Sequence, residues 1–364
     1  MRFVSGAVLC RGLMTIAFVA GMCAASIPVV RAGPSSARPP ASPIPGLSQD
    51  VLLRSVSSDS PTDAWAVGSV TPSRHERSAL ILHWNGTTWS REDVSIPDST
   101  DSGLNSVSAV SPTDVWAVGY YRRMHQHRYG LILHWNGTAW TQYGRSAWDE
   151  LTSVSADSPT DAWAVGGPTG LQTLHWNGIA WSQIHKHAAP PESVDATSPT
   201  DAWAVGLLDS RTVIDHWNGR RWSEVRSPHS RLGHWYLLGV SADSPIDAWA
   251  VGMVEIGEGG NTFAVHWDGT RWSKTRTPSP STTDQSVLFS VSADSPTDAW
   301  AVGYFGNPRG IQRALVLHWN GAAWSRVRLP GGYAVSVSAV SSADAWIVGG
   351  SKIFHWDGTS WSRE

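Results

Sequence analysis

The sequence predicts an all-β fold, a seven-bladed β-propeller with four antiparallel strands per blade, on three observations. A unit reading roughly S-V-S-A-D-S-P-T-D-A-W-A-V-G, then a variable stretch, then L-H-W-N-G-T-x-W-S, occurs seven times in the 364 residues. Its first tryptophan falls at Trp65, Trp116, Trp163, Trp203, Trp249, Trp300 and Trp346, a period of 40 to 51 residues, which is the length of one four-stranded blade. The second and third tryptophans are Trp84/Trp89, Trp135/Trp140, Trp176/Trp181, Trp217/Trp222, Trp267/Trp272, Trp319/Trp324 and Trp356/Trp361, so the repeats hold 21 of the 23 tryptophans.

Ahead of the repeats, Arg2 and Arg11 precede 19 uncharged residues, Gly12 to Val30, that run into the small-residue step Val30-Arg31-Ala32. This is the pattern of a secretory signal, cleaved after Ala32 or after Ala25, and the alternative is an uncleaved membrane anchor. Residues 1–32 are assigned to the signal, 33–50 to a flexible Pro/Ser-rich spacer and 51–364 to the propeller. The only cysteines, Cys10 and Cys23, lie in the signal. A processed chain therefore has no disulfide and no thiolate metal site. It would carry 24 basic and 30 acidic residues, which argues against nucleic acid or an anionic membrane as partner. A secreted monomer without stable membrane insertion is expected.

Within repeat one, Leu52 to Ser57 reads as the first strand, stopped by the turn chemistry of Asp59-Ser60-Pro61-Thr62-Asp63. Alternation over Asp63 to Gly68 puts Asp63, Trp65 and Val67 on one face and Ala64, Ala66 and Gly68 on the other. Bulky and bare faces suit packing of one blade on the next. Ala79 to Trp84 is the third strand. Asn85-Gly86 predicts a two-residue type I′ turn into the fourth strand, pairing Trp84 with Thr87, His83 with Thr88 and Leu82 with Trp89. Each blade should come from one contiguous repeat, with ring closure by packing of blade one on blade seven; a strand from residues 42–52 added outside the last blade is the alternative.

These repeats resemble kelch and galactose-oxidase-like propellers of secreted proteins, whose glycine-ended strand and aromatic-turn-Trp hairpin read here as AWAVG and HWNGTxW. The adjacent glycine pair of kelch repeats occurs only at Gly166-Gly167 and Gly349-Gly350. WD-repeat proteins match less well, because the Trp-Asp ending is absent.

Strand alternation puts the SPTD-type and Asn-Gly turns on one side of the disc, and the second-to-third and repeat-to-repeat loops on the other. The second side varies most in length and sequence, so function is expected there. The seven repeat histidines, His83, His134, His175, His216, His266, His318 and His355, read as scaffold groups that hydrogen-bond to the aspartate of DAW or to a first-strand serine. On the variable side, Tyr120, Tyr121, Arg122, Arg123, His125, His127 and Tyr129 combine aromatics with cations that can stack on planar ligands or grip anions. Trp235 and Tyr236, and Tyr304 and Phe305, are the other ligand-binding candidates. His125-x-His127 and His185-x-His187 have metal-ligand spacing, but no carboxylates complete a site. No metal, no cofactor and no catalytic residue is assigned, and the usual catalytic motifs are missing. The reading favours a non-catalytic scaffold binding a ligand, glycan or extracellular protein through its variable loop face. The alternatives are a propeller lyase or glycan-active hydrolase with its site at the central mouth, and a multivalent lectin with one site per blade.

Overall fold

Each of the seven repeats folds as an up-and-down meander of four strands in the computed structural model, which describes residues 50–364 apart from 74–75, 125, 145–147, 168–171, 185–190, 209–210, 229–232, 257–258, 281–284 and 308–309. The segment expected to be a signal, residues 1–32, and residues 33–49 of the expected spacer lie outside the described residues, as do His125, His185 and His187. Repeat one supplies Val51–Ser60, Asp63–Ser73, Glu76–Trp84 and Trp89–Glu92. The strands assemble into five separate four-stranded sheets and one eight-stranded sheet, in which repeats five and six are joined by a parallel pairing of Gly260 with Gln285. This corrects the expected seven separate blades: only five stand as four-stranded sheets of their own.

Gly239 lies between the inner strands of the same two repeats. It takes the place held by serine in the other repeats, and a Cβ there would lie 2.7 Å from the Phe289 carbonyl oxygen. Without a side chain, the first strand of repeat six can approach closely.

First strands form the inner wall. Those of neighbouring repeats touch all the way round, Val51–Ser60 meeting Ser336–Ser341 of repeat seven. Serines of S-V-S join them, because two hydroxyls at i and i+2 lie on one face of a strand. Ser55 and Ser57 accept from the Val107 and Ala109 amides at 3.2 and 3.0 Å, and Ser106 and Ser108 accept from Val154 and Ala156 at 3.1 and 3.0 Å. The ring closes in the same way. Ser336 and Ser338 accept from the Val56 and Ser58 amides at 3.2 and 3.0 Å, and the Leu53 amide donates to the Gly350 carbonyl at 2.7 Å. Closure therefore rests on packing of repeat one against repeat seven, with repeat one's strands in their own sheet.

Tryptophans fill the spaces between repeats. All seven first tryptophans are 0% exposed. Trp65 meets Trp135 and Trp140 of repeat two, the second edge-on at 81°, and Trp346 meets Trp84 and Trp89 of repeat one. Second tryptophans also tie the two constant turns together, as where the Trp84 indole donates to the Pro61 carbonyl at 3.2 Å.

The third-to-fourth-strand turn differs from the expected one. Trp84 pairs with Trp89, and His83 with Ser90, so four residues rather than two form the loop. The Asn85 side chain is the reason: Oδ1 accepts the Thr87 amide, the Thr87 hydroxyl and the Thr88 amide at 3.1, 2.8 and 3.0 Å. That satisfies the wider loop with only Gly86 at positive φ, where a type I′ turn needs two such residues.

Candidate functional site

A register shift opens the inner strand of six repeats close to the variable face, between Leu53 and Ser55, Leu104 and Ser106, Leu151 and Ser153, Pro191 and Ser193, Leu237 and Gly239, and Leu288 and Ser290. The AWAVG glycine accommodates this bulge. A Cβ at Gly68 would stand 2.0 Å from the Leu52 carbonyl oxygen, and one at Gly303 1.9 Å from that of Val287. Each bulge releases one residue from the ladder. These are Arg54, Asn105, Thr152, Glu192, Leu238 and Phe289, and Val335 holds the corresponding place in repeat seven.

Around the axial mouth these residues divide by polarity. Arg54, Asn105, Thr152 and Glu192 come from repeats one to four, and Leu238, Phe289 and Val335 from repeats five to seven. Asn105 Nδ2 donates to the Leu151 carbonyl at 2.8 Å and to Glu150 Oε1 at 3.1 Å, and the Thr152 hydroxyl donates to the Glu192 carbonyl at 3.3 Å. Each thus reaches towards the next repeat.

Charged groups gather outside the polar half. Arg128 Nη1 donates to Glu150 Oε2 at 2.9 Å, Arg122 and Arg128 approach Asp101 at 3.5 and 3.8 Å, and the Arg128 guanidinium lies 3.8 Å from the Tyr120 ring centre. Burial works against the Arg128 charge, but Glu150, with Tyr120 and Asp101, together outweigh it and raise the Arg128 pKa. Arg54 goes the other way: burial holds its pKa below the usual value, Arg77 and Arg128 add repulsion, and Tyr120 and Glu150 counter only in part. Burial alone raises the pKa of Glu192. A polar groove of ≈ 260 Å³ opens beside Arg77, between Glu76, Arg91, Ser99 and Thr100. A somewhat larger cleft, ≈ 290 Å³, lies against Arg276, Trp319 and Trp324, on the side of the constant turns.

The residues selected from the sequence are scattered among several environments. Tyr120 is buried against Arg128 at the mouth, and Arg122 is held to Asp101. Tyr121 is buried among Leu104 and Leu131 in the core, with Arg123 5.9 Å from its ring centre. His127 is exposed and packs on Tyr129 at 4.2 Å, whose hydroxyl donates to Gln126. Trp235 is buried edge-on to Phe263, and the Tyr236 hydroxyl donates to Glu255 at 3.3 Å. Tyr304 packs against Phe289 at 5.6 Å and donates to Gln285, while Arg326 lies over Phe305 at 4.4 Å. Tyr120, Arg122 and Tyr304 thus border the mouth. The bulge residues themselves were not selected from the sequence. Their signal is one variable position immediately before the S-V-S stretch in each unit.

All seven repeat histidines are engaged inside their own repeats. His83 Nε2 meets Asp63 Oδ1 at 2.6 Å and stacks on Trp65 at 4.0 Å; His175 pairs with Asp161 at 2.6 Å and stacks on Trp163 at 4.1 Å. The same Asp-His-Trp arrangement recurs at His134, His216, His266, His318 and His355. Among the described residues, no three His, Cys, Asp or Glu side chains are grouped to hold a metal ion.

No protein-family profile matches the sequence, and no curated protein matches it. Among solved structures, the chain is similar to one described as YCF48 bound to D1 peptide, with 16% identity and a TM-score of 0.58 over 85% of this chain and 94% of that one. It is also similar to the structure of U3-55K, with 11% identity and a TM-score of 0.55 over 82% of this chain and 88% of that one. The kelch and galactose-oxidase resemblance is overturned by these findings, and the carbohydrate-binding role attached to it falls as well. What repeats three and seven share with kelch units is one glycine pair, whereas the feature common to the repeats here is the Asp-His-Trp stack. At these identities, the likeness shows one thing about the chain: it is an all-β propeller built from four-stranded antiparallel meanders.

Proposed function

We propose that this propeller is a non-catalytic binding scaffold that takes up a segment of a partner protein at the axial mouth of its variable face. The observation that carries the reading is the ring of bulge residues. A scaffold repeated almost letter for letter releases one residue from the ladder in six of its seven units, and the residue at this place differs in every unit. Sites of this kind, fixed in place by strands rather than by loops, suit recognition. Engagement of every repeat histidine with aspartate and tryptophan favours binding over acid–base chemistry. A similar propeller is described with a peptide bound, which favours a peptide segment as the occupant. The charged, apolar and small-residue order of the N-terminus supports an extracellular partner.

A random octapeptide library panned against the full chain, with bound peptides mapped by hydrogen exchange, tests the proposal. Protection of the inner-strand starts near Leu53, Leu104 and Leu288 is the expected result. Protection confined to the Asn-Gly turns, or conversion of the peptides into products, would overturn it.

A further inference from the structure

The geometry points to a bipolar peptide segment as occupant of the mouth: an acidic group on Arg54, a basic group on Glu192, and apolar side chains on Leu238, Phe289 and Val335. This rests on the scaffold reading above and specifies its ligand. Among the described residues, the side chains of Arg54 and Glu192 make no hydrogen bond or ion pair, whereas Arg122, Arg128, Asp101, Glu150, Asn105 and Thr152 beside them are all engaged. Both keep contact with solvent along the axis, yet both stand where protein already disfavours their charge. A guanidinium in such a place gains most from a carboxylate, which can accept two parallel hydrogen bonds. Glu192 calls for the opposite charge. A uniformly acidic ligand or a nucleic-acid strand would be repelled at Glu192, and a uniformly basic one at Arg54 and Arg77.

Apolar residues complete the fit. Leu238 and Phe289 are half-buried and stand at register shifts, and half-buried Val335 packs on the core between repeats one and seven. Phe289 is backed by Tyr304, so its ring offers a supported apolar surface. A peptide laid across the mouth can place its charged side chains over one half and its apolar side chains over the other.

A positional-scanning library of fluorescein-labelled octapeptides, read by anisotropy on the full chain, tests this with Arg54→Glu and Glu192→Lys beside the wild type. The wild type is expected to select one acidic and one basic position with Leu, Ile or Phe elsewhere. Replacing the selected acidic residue by Ala should weaken binding about tenfold in the wild type and hardly at all in Arg54→Glu. Glu192→Lys should lose the basic preference alone. Both positions stand outside the ladder, so unchanged melting temperatures are the control for folding. If peptides bind at the mouth but neither variant alters the charge preference, the bipolar ligand is wrong and the scaffold reading stands. If no peptide binds, and inorganic phosphate binds the wild type but not Arg54→Glu, the mouth is a small-anion site and both readings fall.

Discussion

Asp157 and Thr197 occupy the same place in repeats three and four, two residues beyond the S-V-S or S-V-D stretch. Thr197 donates its hydroxyl to Asp201 at 2.6 Å. A carboxyl in that place can donate the same bond only while it holds a proton. Asp157 faces Asp161, with His175 beyond, and Asp157 Oδ1 and Asp161 Oδ2 are both buried with no partner among the described residues. Burial, then the Asp161 carboxylate, push the Asp157 pKa up to about 7; burial and Asp63 push Asp59 up to about 6. Asp243 and Asp294 are raised in the same way beside Asp247 and Asp298. Since the folded pKa exceeds the unfolded carboxyl value of about 4, the folded chain binds more protons than the unfolded chain between those limits. The stabilisation is complete below about pH 4 and is lost as pH rises towards 7. Melting temperature should therefore fall between pH 5 and pH 8, and Asp157→Thr should flatten that dependence; melts at five pH values would decide it. An equal loss in Asp157→Thr at every pH would argue against the shared proton.

At the scale of the element, the bulge and its glycine form one unit. The Ala expected to sit safely in a strand cannot replace Gly303, whose Cβ would collide with backbone rather than with a movable side chain. Gly303→Ala should cost about 1–3 kcal/mol in denaturant unfolding, as overpacking of a close contact does. It should also disturb the placement of Phe289, so peptide affinity should drop beyond what the lost stability explains. The first tryptophan, aspartate and histidine of each repeat were legible in the sequence because they recur, but the Trp-His stack, which comes from cross-strand pairing of positions such as Trp65 and His83, was not. The bulge was not legible, since it exists only in the register between two strands. Nor was the Asn85 loop, where a side-chain oxygen rather than a second positive-φ residue satisfies the turn.

Over the whole molecule, closure depends on non-covalent contacts between the first and last repeats. Ser336 and Ser338 supply two hydrogen bonds, and Trp346 covers Trp84 and Trp89. Changing both serines to Ala leaves two inner-wall amides without those acceptors and should cost about 2–3 kcal/mol, with each buried unmet amide worth about 1 kcal/mol or more. Removing residues 336–364 should do more: Trp84 and Trp89 would become solvent-facing, and size-exclusion chromatography should report association in place of a single species. The repeat number and the interlocking tryptophans could be read from the sequence, but the joint between repeats five and six could not. It is a single parallel pairing between Gly260 and Gln285, 25 residues apart.

Because the bulges in repeats one to six take one residue each out of the inner-strand register, the mouth can change its chemistry while the walls stay constant. Arg54, Asn105, Thr152, Glu192, Leu238, Phe289 and Val335 behave like a seven-letter word written on a fixed page. On the binding reading proposed above, rewriting Arg54, Glu192, Leu238 or Phe289 should change the occupant selected while the ladder stays intact.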